Sequence, residues 1–193
     1  MKTQAHLLLA TRLSFSIILA LSLTLLINPG AGANEPAVVM ANPTRLVIPA
    51  IHLDSAVVPV GWQLVIVNGQ TYGQWDTADN EVGWHNLSAS LGQPGNTVLA
   101  GHSNVNAKVF GDLRLVNIGD EIIAISGLDG QLHRYVVTQK VLLQEAGVSL
   151  ETRIKNAQWI APTGDERLTL VTCSQPGATH RLIVVARPVA ATD

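Results

Sequence analysis

The chain has 193 residues, with 12 Lys and Arg against 14 Asp and Glu, for a formal charge of −2. No Lys- or Arg-rich stripe runs through it, which excludes a protein that holds nucleic acid by neutralising phosphates. Apolar residues make up 47% and charged residues 13%; an N-terminal hydrophobic segment inflates the first figure, yet the body still reads as globular rather than disordered.

That segment runs uncharged from Leu13 to Ile27, with Lys2 and Arg12 on its N-terminal side. The positive flank is expected to stay cytoplasmic. Ala31-Gly32-Ala33 has the small residues of a signal-peptide cleavage site. Counting back to His6 or Leu7 instead gives about 21 residues, enough to span a bilayer if Arg12 snorkels, and this longer count favours a retained anchor. Either outcome delivers the remainder outside the cytoplasmic membrane. The expected organisation is a signal or anchor segment over 1–28, a linker rich in Pro, Gly, Ala and Asn over 29–42, and one domain over 43–193. About 150 residues suit a single domain.

Within the domain, short β-branched runs of strand length recur at 45–48, 56–60, 97–100, 121–126, 134–138, 140–143, 168–172 and 182–186. Turn residues punctuate the gaps, among them Asn68-Gly69, Pro94-Gly95-Asn96, Gly119-Asp120, Asp129-Gly130 and Pro162-Thr163-Gly164. The spacing predicts a mostly antiparallel β-barrel or sandwich. Short helical turns are expected at 86–90, 109–115 and 145–151, where strand patterning lapses. There is no internal repeat.

Cys173 is the single cysteine. A lone thiol in an exported protein cannot close an internal disulfide, so it is either a small buried apolar residue or a reactive group. It ends the run Leu168-Thr169-Leu170-Val171-Thr172, and the chain turns at once through Ser174-Gln175-Pro176-Gly177. A strand end beside a loop is where reactive side chains tend to be displayed. A catalytic thiol needs a proton partner, and histidine is the usual one. Of the six histidines, His102 stands out: Asn96-Thr97-Val98-Leu99-Ala100-Gly101 brings a buried strand up to it, and Gly101 allows close backbone approach. A turn histidine bonded to nearby backbone is the competing reading. No Cys-x-x-Cys, His-x-x-x-His or His-Glu-x-x-His spacing supports a metal site, and no Gly-x-Ser-x-Gly elbow supports a serine nucleophile. No cofactor is expected.

Taken together, Ala100-Gly101-His102, Thr169-Leu170-Val171-Thr172-Cys173 and Arg181 at the start of the next strand resemble the sortases, membrane-associated cysteine transpeptidases. The similarity runs from about 43 to 189 and includes Trp75, Val82-Gly83-Trp84-His85, Val109-Phe110-Gly111-Asp112-Leu113 and Gly119-Asp120. It implies an eight-stranded β-barrel with short helices, and it implies that Cys173, His102 and Arg181 share one groove. Their implied roles are nucleophile, proton donor to the departing amine, and stabiliser of the oxyanion or of the substrate's carbonyls. The implied substrates are surface proteins carrying an LPxTG-like sorting motif. The implied acceptor is an amine of a cell-wall peptide or a pilin subunit, at the outer face of the cell membrane.

Thr172 is either a steadying hydroxyl or an ordinary strand threonine; Trp75, Trp84 and His85 are expected to pack or shape the groove, and the loop 144–166 to contribute to specificity. Two alternatives stay open: a hydrolytic cysteine peptidase, and a non-catalytic extracellular barrel that binds peptides.

Overall fold

A computed structural model describes residues 41–67, 69–174 and 179–189. The expected segment 1–28, nearly all of the linker 29–42 and the turn through Gln175-Pro176-Gly177 lie outside the described residues. The strands are β1 (Pro43–Ile48), β2 (Leu53–Val60), β3 (Trp62–Val67), β4 (Gln70–Trp75), β5 (Val82–His85), β6 (Asn96–Gly101), β7 (Glu121–Ser126), β8 (Leu132–Gln144), β9 (Arg167–Ser174) and β10 (His180–Pro188). Among the described residues, one α-helix, α1 (Leu150–Ala157), and 3-10 turns at Pro49–Ile51, Leu113–Leu115 and Gln158–Ile160 accompany them.

Eight strands close into a barrel in the order β1-β2-β5-β6-β9-β10-β8-β7, while β3 and β4 pair only with each other. Most pairs are antiparallel; β2 with β5 and β6 with β9 are parallel. The interior is filled by the alternate residues that a pleated strand turns to one side. Leu46 and Ile48 come from β1, Leu99 from β6, Leu168 and Leu170 from β9, and Leu182, Val184 and Ala186 from β10; all are buried in one cluster.

The eight strands of the barrel are not the eight runs read from the sequence. The runs at 134–138 and 140–143 form one strand, β8, because Val185 pairs with Gln139 and Ala186 with Val137. Thr138 is the extra residue of this bulge, which bends β8 without ending it, and its hydroxyl donates to the Val185 carbonyl at 3.2 Å. The eighth barrel strand is instead β5, four residues long and buried throughout. The β3–β4 hairpin was unexpected apart from its turn at Asn68-Gly69. Of the helical turns, 113–115 falls inside the expected 109–115. The helix expected over 145–151 starts only at Leu150, after Ser149 caps it by accepting from Thr152 N. Residues 86–90 make a hydrogen-bonded turn, Ser88 N to His85 O at 2.8 Å, rather than a helix.

Every residue of β6 is buried, because its outer face is covered too. Asn96, 2% exposed, is the polar pin of that cover. Its amide donates to the carbonyls of Trp159 and Ala161, both at 3.1 Å, and its oxygen accepts from the Thr169 hydroxyl at 2.7 Å. This ties the segment after α1 to β6 and β9 at once. Asn96→Ala leaves the buried Thr169 hydroxyl without its acceptor, and it is expected to cost about 2–3 kcal/mol in urea unfolding.

Candidate active site

Three adjacent barrel strands carry the three residues singled out by sequence. β6 and β9 run parallel with Gly101 opposite Thr172, so one step further along both chains places His102 beside Cys173. β9 and β10 run antiparallel with Cys173 directly opposite Arg181. Neighbouring strands lie about 4.8 Å apart, so the backbone of Cys173 sits about 5 Å from its neighbour on each side. Their faces match as well. Leu170 and Leu182 point into the core, and the pleat alternates, so Cys173 and Arg181 both project from the outer face of the barrel. His102, Cys173 and Arg181 are each partly exposed.

Hydrogen bonds lock this level of the sheet. The buried Thr172 hydroxyl donates to the Gly101 carbonyl at 2.7 Å, tying the residue before the thiol to the residue before the imidazole. The Ser103 hydroxyl donates to the Cys173 carbonyl at 2.5 Å, tying the residue after His102 to Cys173 itself. The His102 carbonyl accepts from Phe110 N at 2.8 Å, folding the loop 102–110 back over the strand end. That closure explains Gly101: a Cβ there would come within 2.7 Å of Val109 and 2.9 Å of Phe110, closer than atoms pack. The Arg181 guanidinium makes a long contact with the His180 carbonyl, 3.4 Å, and the His180 ring meets the Thr179 hydroxyl at 2.9 Å.

A cleft of about 270 Å³ opens at this level, lined by Cys173, Ser174, Ser103, Phe110 and Arg114 among others; of the three residues expected to share one groove, only Cys173 lines it. It meets a larger polar depression of about 550 Å³ at Ser103 and Gly111, where His52, Asp54, Lys108 and Asp112 contribute. Ser103 and Arg114 had not been assigned to the site by sequence. The only available signal was the position of Ser103 next to His102. The loop 144–166 lines neither cleft among the described residues. It approaches the site through Glu145 N and Ala146 N, which donate to the Thr179 carbonyl at 2.9 and 3.0 Å. No group of three or more His, Cys, Asp or Glu is placed to hold a metal ion among the described residues.

Trp75 and His85 stack, with ring centroids 4.1 Å apart and planes 8° from parallel. His85 is 4% exposed, and burial lowers its pKa to about 4. Trp84 is buried in the core. These residues pack the β5 side of the barrel.

The sortase domain model matches residues 46–189, and the chain therefore belongs to the sortase family, whose members are cysteine transpeptidases acting at the cell surface. Similar solved structures include a sortase D5 transpeptidase from Clostridium perfringens, with TM-score 0.57 and 20% identity, covering 77% of this chain and 79% of that one. A lid mutant of sortase A from Corynebacterium diphtheriae gives 0.57 and 22%, covering 77% and 70%. Sortase C-1 from Actinomyces oris gives 0.54 and 23%, covering 75% and 72%. At these identities the likeness is one of fold. No curated protein sequence matches the chain.

His85 makes stability depend on pH. Its folded pKa of about 4 lies below the ordinary value of 6.5; between those two values the unfolded chain takes up a proton that the folded one refuses. Stability is therefore full above about pH 6.5 and falls as pH drops towards 4, by up to about 3 kcal/mol. His85→Phe, which keeps a ring against Trp75, is expected to remove this component from urea titrations at pH 7 and pH 4.5.

Proposed function

We propose that Cys173, His102 and Arg181 are the catalytic residues of this sortase. The observation that carries the reading is the strand register: Cys173 lies opposite Arg181, and His102 follows the Gly101–Thr172 pair by one residue. His102 takes the thiol proton, and the Cys173 sulfur attacks the carbonyl carbon of the scissile peptide bond. The carbonyl electrons move onto oxygen, where the Arg181 guanidinium offers donors in a fixed plane. As the oxyanion collapses, the C–N bond breaks, the departing amine takes its proton from His102, and a thioester remains on Cys173. An incoming amine then attacks the thioester, gives a proton to His102 and expels the thiolate, which takes that proton back from His102. A new amide forms, with no net change at the enzyme.

The substrates proposed are surface proteins with an LPxTG-like C-terminal sorting motif; the acceptor is an amine of a cell-wall peptide or a pilin subunit. The two adjoining clefts give such a reaction room for two peptide ends. Ser103 and Thr172 act as positioning residues, since both donate to backbone carbonyls at the strand ends. Residues 1–28 are proposed to hold the chain in the cytoplasmic membrane, with 29–42 as the tether and 43–193 as the catalytic domain. Among the described residues no helix is long and apolar enough to cross a membrane.

Incubation with LPxTG-like peptides, with and without an added amine, tests the reading by mass spectrometry. The expected result is a covalent adduct on Cys173 and amine incorporated into product. Cys173→Ala is expected to abolish both, and Arg181→Ala to slow thioester formation by about 10²–10³-fold. Release of hydrolysed peptide alone, even at high amine, would identify a peptidase instead; full function in Cys173→Ala would leave only a binding barrel. Ser103→Ala is expected to leave substrate binding intact while lowering the turnover rate about tenfold, the cost of a small displacement at the reacting atom, seen as a fall in kcat at unchanged KM.

A further inference from the structure

The β3–β4 hairpin has no part in the chemistry just described. It joins β2 to β5, its base closed by Asp76 N to Gly61 O at 2.9 Å, and neither strand pairs with the barrel. Trp62, Leu64 and Ile66 alternate along β3 and so share one face. Their exposures rise towards the tip: 49%, 63% and 75%. Across the ladder Gly73 opposes Leu64, and a Cβ on Gly73 would come within 2.2 Å of the Trp62 ring. The missing side chain lets that ring lie flat along the hairpin face, continuous with Leu64. From Gly61 to Trp75 there is no charged residue. An uncharged hairpin with a large apolar face and two free edges is poorly stable alone in water, so this one needs a covering surface.

Its position in the barrel indicates which surface. The loop 86–91 touches both the hairpin base and the point where the described chain begins. Asn86 N donates to Val60 O at 3.2 Å, Leu91 N to Ala41 O at 3.0 Å, and the Ser90 hydroxyl to Asn42 Oδ1 at 3.3 Å. Ala89 N, in the same loop, donates to Asn96 O at 3.1 Å, which puts this end of the barrel at the start of β6. His102 lies at the other end of that strand, about 20 Å away. Residues 28–40 separate the uncharged run ending at Ile27 from Ala41. Whatever its conformation, a stretch of that length reaches at most about 45 Å. A six-residue hairpin is itself about 20 Å long. A chain anchored by 1–28 therefore holds the hairpin within reach of the bilayer it is anchored in.

We propose that the Trp62–Leu64–Ile66 face docks on the lipid bilayer, seated at the headgroup boundary, and that this second contact orients the catalytic end of the barrel away from the membrane. This rests on the anchoring reading given above. Tryptophan favours that boundary. Water there satisfies the free strand edges, which the hydrocarbon interior would not. Asp76, Asp79 and Glu81 follow the hairpin, so attraction to anionic headgroups is not the driving force, and docking is insensitive to salt.

The test uses the full chain in phosphatidylcholine vesicles whose acyl chains are brominated near the headgroup, reading tryptophan quenching and vesicle flotation together. Expected are co-flotation and quenching that Trp62→Phe largely removes, that Ile66→Gln weakens, and that persists from about 0.1 to about 1 M salt. Both substitutions fall on exposed side chains, and unchanged thermal melting confirms the fold. Co-flotation with quenching untouched by either variant overturns the docking and leaves the anchor standing. Failure to float overturns both. Absent quenching together with cross-linking between copies that Ile66→Gln abolishes assigns the face to a second copy instead and overturns the lipid assignment.

Discussion

The register between β6, β9 and β10 is the constraint on which the rest depends. A parallel pairing and an antiparallel pairing meet on β9, and only with Gly101 opposite Thr172 and Cys173 opposite Arg181 do the backbones of His102, Cys173 and Arg181 come together on neighbouring strands. A slip of one residue in either ladder turns one of them to the other face of the sheet. The buried residues guard against that slip. Leu168 and Leu170 must point inwards, Thr169 outwards to Asn96, and the Thr172 hydroxyl must reach Gly101 O. The residues leading up to the cysteine thus serve mostly to align the strands.

Polar bonds made by small residues carry that alignment into the loops. Ser103 and Phe110 hold the loop after His102 against the cysteine strand, and Gly101 leaves the room for it. In the proposed mechanism this is the level where atoms react, and positioning there to within a fraction of an ångström is worth orders of magnitude in rate. The β3–β4 hairpin at the far end follows different rules: free edges, no charge, and an apolar face turned outwards.

Much of this was legible in the residues. β7 begins and ends where its alternation does, from Glu121 to Ser126, since one face is core and the other is not. Gly101-His102 and Thr172-Cys173 were readable as strand ends because a buried run stops at each. Other features escaped because their cause is tertiary. β5 is four residues buried on both faces, so it has neither length nor alternation to mark it. β8 looks like two strands because a bulge at Thr138 shifts the apolar phase. The hairpin carried a clear turn signal in Asn68-Gly69, yet Trp62, Leu64 and Ile66 face outwards, against the expectation that apolar alternation marks a core face. That the Ser103 hydroxyl bonds the Cys173 carbonyl depends on a contact between distant parts of the chain, which no local pattern records.

A double-mutant cycle on His102→Ala and Arg181→Ala, read as kcat/KM for thioester formation, tests the shared site most directly. Groups flanking one sulfur act as a unit, and the double variant is then expected to lose about as much as the worse single variant. Losses that simply multiply would mean that the two residues work independently, contradicting an active site assembled by the strand register.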